Sequence, residues 1–126
     1  MKILAAGKTS VERAALSVAR ELGLDGGGRC AKGQDYRETV TRNATEAEAT
    51  ISLTRSRHPQ MRTLRPIFQA PSLAFGFAIL TDKKAIADIR EWFRRDHVMV
   101  VHVTGHVPYT QAKEFLLGVF KNKAGG

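Results

Sequence analysis

Ile3-Leu4-Ala5-Ala6-Gly7-Lys8-Thr9-Ser10-Val11-Glu12-Arg13 is the stretch that decides the fold. An apolar run enters a glycine, and an amphipathic pattern leaves it. Gly7 lets the backbone turn with no side chain in the way. Thr9 stands at an N-cap position and Glu12 follows three residues later, the spacing of a capping box. The residues therefore predict a strand, a tight turn and a capped helix. The free N–H groups of a first helical turn, at the positive end of the helix dipole, favour an anion. That corner is where an open α/β sheet faces a phosphate. A single glycine also fits a plain βα turn with no ligand, and the stretch is neither a full GxGxxG nor a Walker A loop. Both readings stand at this point.

Working outward, Lys2–Ala6 predicts a short buried strand. Ser10–Leu22 predicts a helix, with Val11, Ala14, Ala15, Val18, Ala19 and Leu22 on one face. Gly23 is placed to end it as a C′ residue. Leu24–Asp35 reads as a loop, because Gly26-Gly27-Gly28 discourages regular structure. Its Arg29, Lys32 and Gly33 suit an anion held by charge and backbone N–H groups, or a solvated connector. Tyr36–Glu46 reads as a helix of low apolar content. Ala49–Thr54 is short and β-branched and predicts a strand, with a site expected at its carboxyl end near Thr54.

Ser72–Leu80 is apolar throughout, a pattern that predicts a central strand buried on both faces. Lys83–Arg94 predicts a helix with Ile86, Ile89 and Phe93 inward and Asp82 as its cap. Val98–Val103 predicts another strand, broken by Gly105. Pro108 then opens a last helix, with Tyr109, Ala112, Leu116, Val119 and Phe120 on one face. Strand and helix patterns alternate, which calls for an α/β domain: a mostly parallel sheet with helices on both faces. The expected domain runs over residues 1–122, with a disordered tail at 123–126.

The chain has 126 residues and a net charge of +8, which points to anionic partners. The charge is uneven. Between Glu48 and Asp82 there is no acidic residue, and that interval holds Arg55, Arg57, His58, Arg62 and Arg65. Pro59, Pro66 and Pro71 argue against a long helix there. The segment reads as a phosphate-contacting arm or as a solvated linker with an apolar foot. No apolar run approaches the roughly 20 residues that span a bilayer, and the start does not read as a signal peptide. Cys30 is the only cysteine, so no internal disulfide forms, and a cytoplasmic location without membrane attachment is expected.

Candidate chemistry is sparse. His102, His106 and Cys30 lack a recognisable ligand spacing, so no metal site is expected. Cys30 has Arg29 and Lys32 nearby but no assignable base. No carboxylate pair reads as an acid–base couple, and no catalytic residue is assigned.

Several segments resemble one family. Ala5–Leu16 is similar to the Ser-Gly-Gly-Gln-Thr-Gly-Val-Asp-Arg-Ala-Ala-Leu motif of the putative molybdenum carrier family, a circularly permuted branch of the Rossmann-like nucleotide-binding superfamily that also holds the lonely-guy phosphoribohydrolases. Glu21-Leu22-Gly23 and Gly28-Arg29-Cys30-Ala31-Lys32-Gly33 resemble its Leu-Gly and Gly-Trp-Cys-Pro-Lys-Gly segments. Thr39 with Asn43, Ala47–Ile51 and Val103-Thr104-Gly105 resemble three further stretches. The resemblance covers residues 3–54 well and 92–108 thinly. It implies a Rossmann-like fold and a nucleotide or molybdenum cofactor as ligand. It also implies a homo-oligomer, since relatives on this scaffold assemble. The chain departs from the family at several points, the shorter loop between Gly33 and Tyr36 among them. The Gly-Gly-Thr turn is replaced by the basic 55–71 segment, His102 stands where the family has Asn, and His106-Val107 stands where it has Pro-Arg. The Gly-Gly-x-Gly-Thr…Glu motif of the hydrolases is absent.

The expected function is binding of a nucleotide or other anionic small molecule. Gly7, Lys8, Thr9, Ser10, Lys32, Gly33, Asn43, Thr54, Arg55 and Gly105 form the expected site. A nucleic-acid-binding protein using the 55–65 segment, and a nucleotide-cleaving hydrolase on the same scaffold, are the alternatives.

Overall fold

The computed structural model describes residues 1–53, 72–75 and 83–124. Thr54, Arg55, the basic 55–71 segment, residues 76–80 and Asp82 lie outside them. Nine elements follow in order: β1 (Lys2–Leu4), α1 (Ser10–Leu22), β2 (Asp25–Gly27), α2 (Tyr36–Glu46), β3 (Ala49–Leu53), β4 (Ser72–Phe75), α3 (Lys83–Arg95), β5 (Val100–Gly105) and α4 (Tyr109–Ala124). The strands form one sheet in the order β2-β1-β5-β3-β4, and every described pair is parallel. This is the α/β, Rossmann-like arrangement expected. No described helix is long and apolar enough to cross a membrane.

The connections place the helices. The β1–α1–β2 and β4–α3–β5 crossovers run one way across the sheet, and β2–α2–β3 runs the other. Right-handed crossovers then put α1 and α3 on one face and α2 on the opposite one. The packing agrees, because α4 lies against both α1 and α3. Pleat alternation gives the two faces different chemistry. Ile3, Ala5, Ala49, Ile51, Leu53, Val101 and Val103 join the α1, α3 and α4 side chains in one apolar core. Thr50 and His102 are buried on the other face, side by side in register, with Ser52 opposite Thr104 one step on. Thr39, Asn43 and Ala44 are the buried residues of α2. The low apolar content of α2 thus matches the polar sheet face it covers.

α1 and α2 occupy their predicted spans because local chemistry fixes their ends. Thr9 and Glu12 form the capping box, and Gly23 takes the left-handed conformation with φ 69°. The Asp35 side chain accepts from the Glu38 amide at the start of α2.

Several expectations are corrected. Asp25–Gly27, expected as loop, is strand β2, since pairing with Lys2–Leu4 overrides glycine's poor strand propensity. The Ser72–Leu80 run supplies β4 over Ser72–Phe75, and β4 is last in the strand order. An apolar run reports burial but does not rank a strand within a sheet. The central place goes to β5, paired on both sides by β1 and β3. β5 itself starts two residues later than predicted, because Val98 belongs to the end of α3, where its N–H reaches the Phe93 carbonyl at 2.9 Å. Gly105 closes β5 in register with Leu53 instead of breaking it. Finally, Tyr109, predicted on the inner face of α4, is exposed, whereas Ala112, Leu116, Val119 and Phe120 are buried. α4 runs to Ala124.

Candidate anion-binding site

The carboxyl ends of β1, β2 and β5 are tied together by a few long-range hydrogen bonds. The Cys30 amide donates to the Ala6 carbonyl at 2.8 Å, which holds the β2–α2 loop beside the turn after β1. The Ser10 hydroxyl donates to the Val107 carbonyl at 2.7 Å, which joins the start of α1 to the turn after β5. The His106 amide donates to the Leu53 carbonyl at 2.8 Å, which brings in the end of β3.

Glu12 is the hub. Its side chain is fully buried. Oε1 accepts from the Lys8 and Thr9 amides at 2.9 and 3.0 Å. Oε2 accepts from the Tyr36 hydroxyl at 2.5 Å and the Thr104 hydroxyl at 2.9 Å. Four donors fill the roughly four acceptor positions of a carboxylate. A carboxylate so occupied ties four parts of the chain together, which gives Glu12 a scaffold role. It also takes two of the turn's amides for itself.

Most of the expected site residues therefore have structural work. Gly7 turns at φ 77°. A Cβ there would stand 3.3 Å from Arg29 Nη1, so the guanidinium lies directly over the turn. Thr9 caps α1, its hydroxyl accepting from the Glu12 amide at 3.1 Å. Gly105 has φ 126°, and a Cβ would collide with the Leu53 carbonyl. Asn43 is buried, and its Nδ2 donates to the Gly28 carbonyl at 2.8 Å. Its Oδ1 has no hydrogen-bond partner among the described residues. The Lys8 side chain is exposed, while its carbonyl accepts from Arg13 Nη1 at 2.8 Å. Lys32 and Gly33 are exposed on the β2–α2 loop, and no hydrogen bond or ion pair among the described residues joins them to the others. Thr54 and Arg55 fall outside the described residues.

Arg29, a loop cation outside the expected site, stands over its Gly7 turn. Glu12, expected only as a cap partner, also joins Tyr36 and Thr104. Of these, only the Thr9–Glu12 spacing was readable, because the other contacts span 24 and 92 residues of chain.

Burial governs two titrations nearby. Desolvation pushes the His102 imidazole down from its usual 6.5 to about 4, against the opposing charge of Glu12. Its Nδ1 lies 3.3 Å from the Thr50 hydroxyl. Desolvation, then the hydrogen bond to Glu12, lifts the Tyr36 phenol to about 12. His106 is exposed, and Cys30 is buried with its thiol directed at the Gln34 carbonyl at 3.5 Å. No group of three or more His, Cys, Asp or Glu side chains converges among the described residues.

The fold has a solved counterpart. The crystal structure of a putative molybdenum carrier protein from Syntrophus aciditrophicus superposes with a TM-score of 0.76. The match covers 94% of this chain and 93% of that one, at 17% sequence identity. At that identity the likeness is one of fold. No family model and no curated protein matches the sequence.

Proposed function

We propose that this protein binds a small oxyanion-bearing ligand, a nucleotide or other phosphate-bearing molecule, in the manner of a molybdenum-cofactor carrier. The observation that carries the reading is Arg29. Its guanidinium lies over the Gly7 turn at the carboxyl edge of a parallel sheet, with no carboxylate within salt-bridge distance among the described residues. Ligands of open α/β sheets bind outside the carboxyl ends of the strands, where connections leave in opposite directions. Here β1 leads to β2 on one side, and β5 and β3 lie on the other. The exposed Lys8 and Lys32 side chains add charge on the same two loops.

Glu12 shapes this reading. With the Lys8 and Thr9 amides occupied, the ligand's anionic group relies more on side-chain cations than a ligand in a full phosphate loop does. A planar guanidinium suits an oxyanion because it donates two parallel hydrogen bonds. Binding of this kind weakens with salt, but only as two or three charges require.

A thermal-shift series with inorganic phosphate, molybdate, AMP and a short DNA duplex tests it. A ligand at a hundred times its Kd stabilises by about 2.7 kcal/mol, which moves Tm by several degrees. The expected result is a shift with AMP or another small oxyanion that is lost in Arg29→Ala and reduced in Lys8→Ala. A steep salt-dependent shift with the duplex alone, unaffected by Arg29→Ala, would favour the nucleic-acid reading.

A further inference from the structure

The β2–α2 loop, residues 28–35, carries Arg29 and Lys32 and is fastened at both ends. At its start the Asn43 amide donates to the Gly28 carbonyl, and the Cys30 amide to the Ala6 carbonyl, each at 2.8 Å. Within it, the Ala31 amide donates to the Gln34 side chain at 2.9 Å, and the Gln34 amide returns to the Ala31 carbonyl at 3.0 Å. At its far end stands Tyr36, the first residue of α2. The residue is 38% exposed, yet its hydroxyl reaches the fully buried Glu12 carboxylate. What its hydroxyl does is join the end of the basic loop to the turn after β1.

We propose that Tyr36 is a positioning residue: by donating to Glu12 it holds the basic 28–35 loop against the Gly7 turn, so that Arg29 and Lys32 are preorganised for an oxyanion. This rests on the anion-binding reading above for its consequence, but not for its mechanical content. A loop fixed in its bound shape loses less entropy on binding, and that saving appears as affinity. Thr104 offers the control that separates positioning from general stability. It donates to the same Glu12 oxygen from β5, and although its hydroxyl also interacts with that of Tyr36, no hydrogen bond ties it to residues 28–35 among the described residues.

The test compares Tyr36→Phe, which keeps the ring, with Thr104→Val, which keeps the shape. Two readouts are taken at a temperature where both variants are folded. The first is affinity for AMP and for inorganic phosphate. The second is hydrogen exchange at the Cys30 amide, which reports its bond to Ala6 with no ligand present. The expected result is a fivefold or greater loss of affinity in Tyr36→Phe, with faster exchange at Cys30. Thr104→Val is expected to leave affinity within twofold and Cys30 exchange unchanged. Equal effects in both variants would overturn the proposal, because they would mean that Glu12 merely lost a donor. No effect in either would overturn it too. If the wild type binds neither anion, the anion-binding reading fails. Faster Cys30 exchange confined to Tyr36→Phe would then still uphold the positioning, and unchanged exchange would sink it.

Discussion

His102 shows how one buried side chain sets a condition on the whole fold. It lies fully buried on the polar sheet face, and desolvation holds its imidazole neutral down to about pH 4. The unfolded chain takes up that proton near pH 6.5. Between these values the unfolded state binds more protons, so stability is present above pH 6.5 and drains away as pH falls toward 4. The loss expected from this group is about 3 kcal/mol in total. Denaturant titrations between pH 4 and pH 7 should show it, and His102→Gln should flatten that slope. A slope unchanged in the variant would assign the acid sensitivity elsewhere. Gly105 makes a second demand at this scale. A methyl group there meets the Leu53 carbonyl, which is backbone and cannot step aside, at a φ that side chains avoid. Gly105→Ala should cost about 3 kcal/mol, read as a lowered urea midpoint. A cost under ~1 kcal/mol would mean that β3 and β5 approach less closely than described.

Element ends divide into those fixed locally and those fixed by distant partners. The C-terminus of α3 is local. His97 sits at φ 51°, and its amide and that of Val98 reach back to Arg94 and Phe93. This is a left-handed cap built with a residue that dislikes the conformation. His97→Gly should therefore stabilise the protein by about 0.5–1 kcal/mol, a modest rise in Tm. A fall in Tm would show that the imidazole makes contacts worth more than the strain. The same division explains what the sequence made legible. α1 and α2 were readable to the residue because Thr9, Glu12, Gly23 and Asp35 carry their stop and start signals within one turn of the helix. β2 was not readable, because nothing in Asp25-Gly26-Gly27 favours a strand until Lys2–Leu4 lies beside it. The rank of β4 was not readable either, since apolar composition is blind to strand order. Likewise, Val98 reads as strand by its type and is claimed by α3 through one backbone hydrogen bond.

Across the molecule, the sheet separates two kinds of interior. One face carries an apolar core with α1, α3 and α4, and this core accounts for the packing of the fold. The other carries Thr50, Ser52, His102 and the buried polar residues of α2, a costlier way to fill an interior that makes each hydrogen bond matter. Glu12 joins these parts at the carboxyl edge, where one carboxylate links α1, α2, β5 and the turn after β1. The candidate site was half legible for the same reason. The Gly7–Glu12 corner lies in one continuous stretch, so the turn after β1 and the cap of α1 are legible in it. That Glu12 itself occupies the turn's amides, and that Arg29 covers Gly7, depend on contacts no linear pattern carries. A small oxyanion held between that turn and the basic loop would be seen by the amides of both. An amide-resolved NMR titration of the wild-type protein with inorganic phosphate tests it most directly. Saturable shifts are expected, confined to the amides of residues 7–11 and 28–33, with those of α3 unmoved. Shifts spread along α3, or none at these two loops, would mean that no oxyanion is held there.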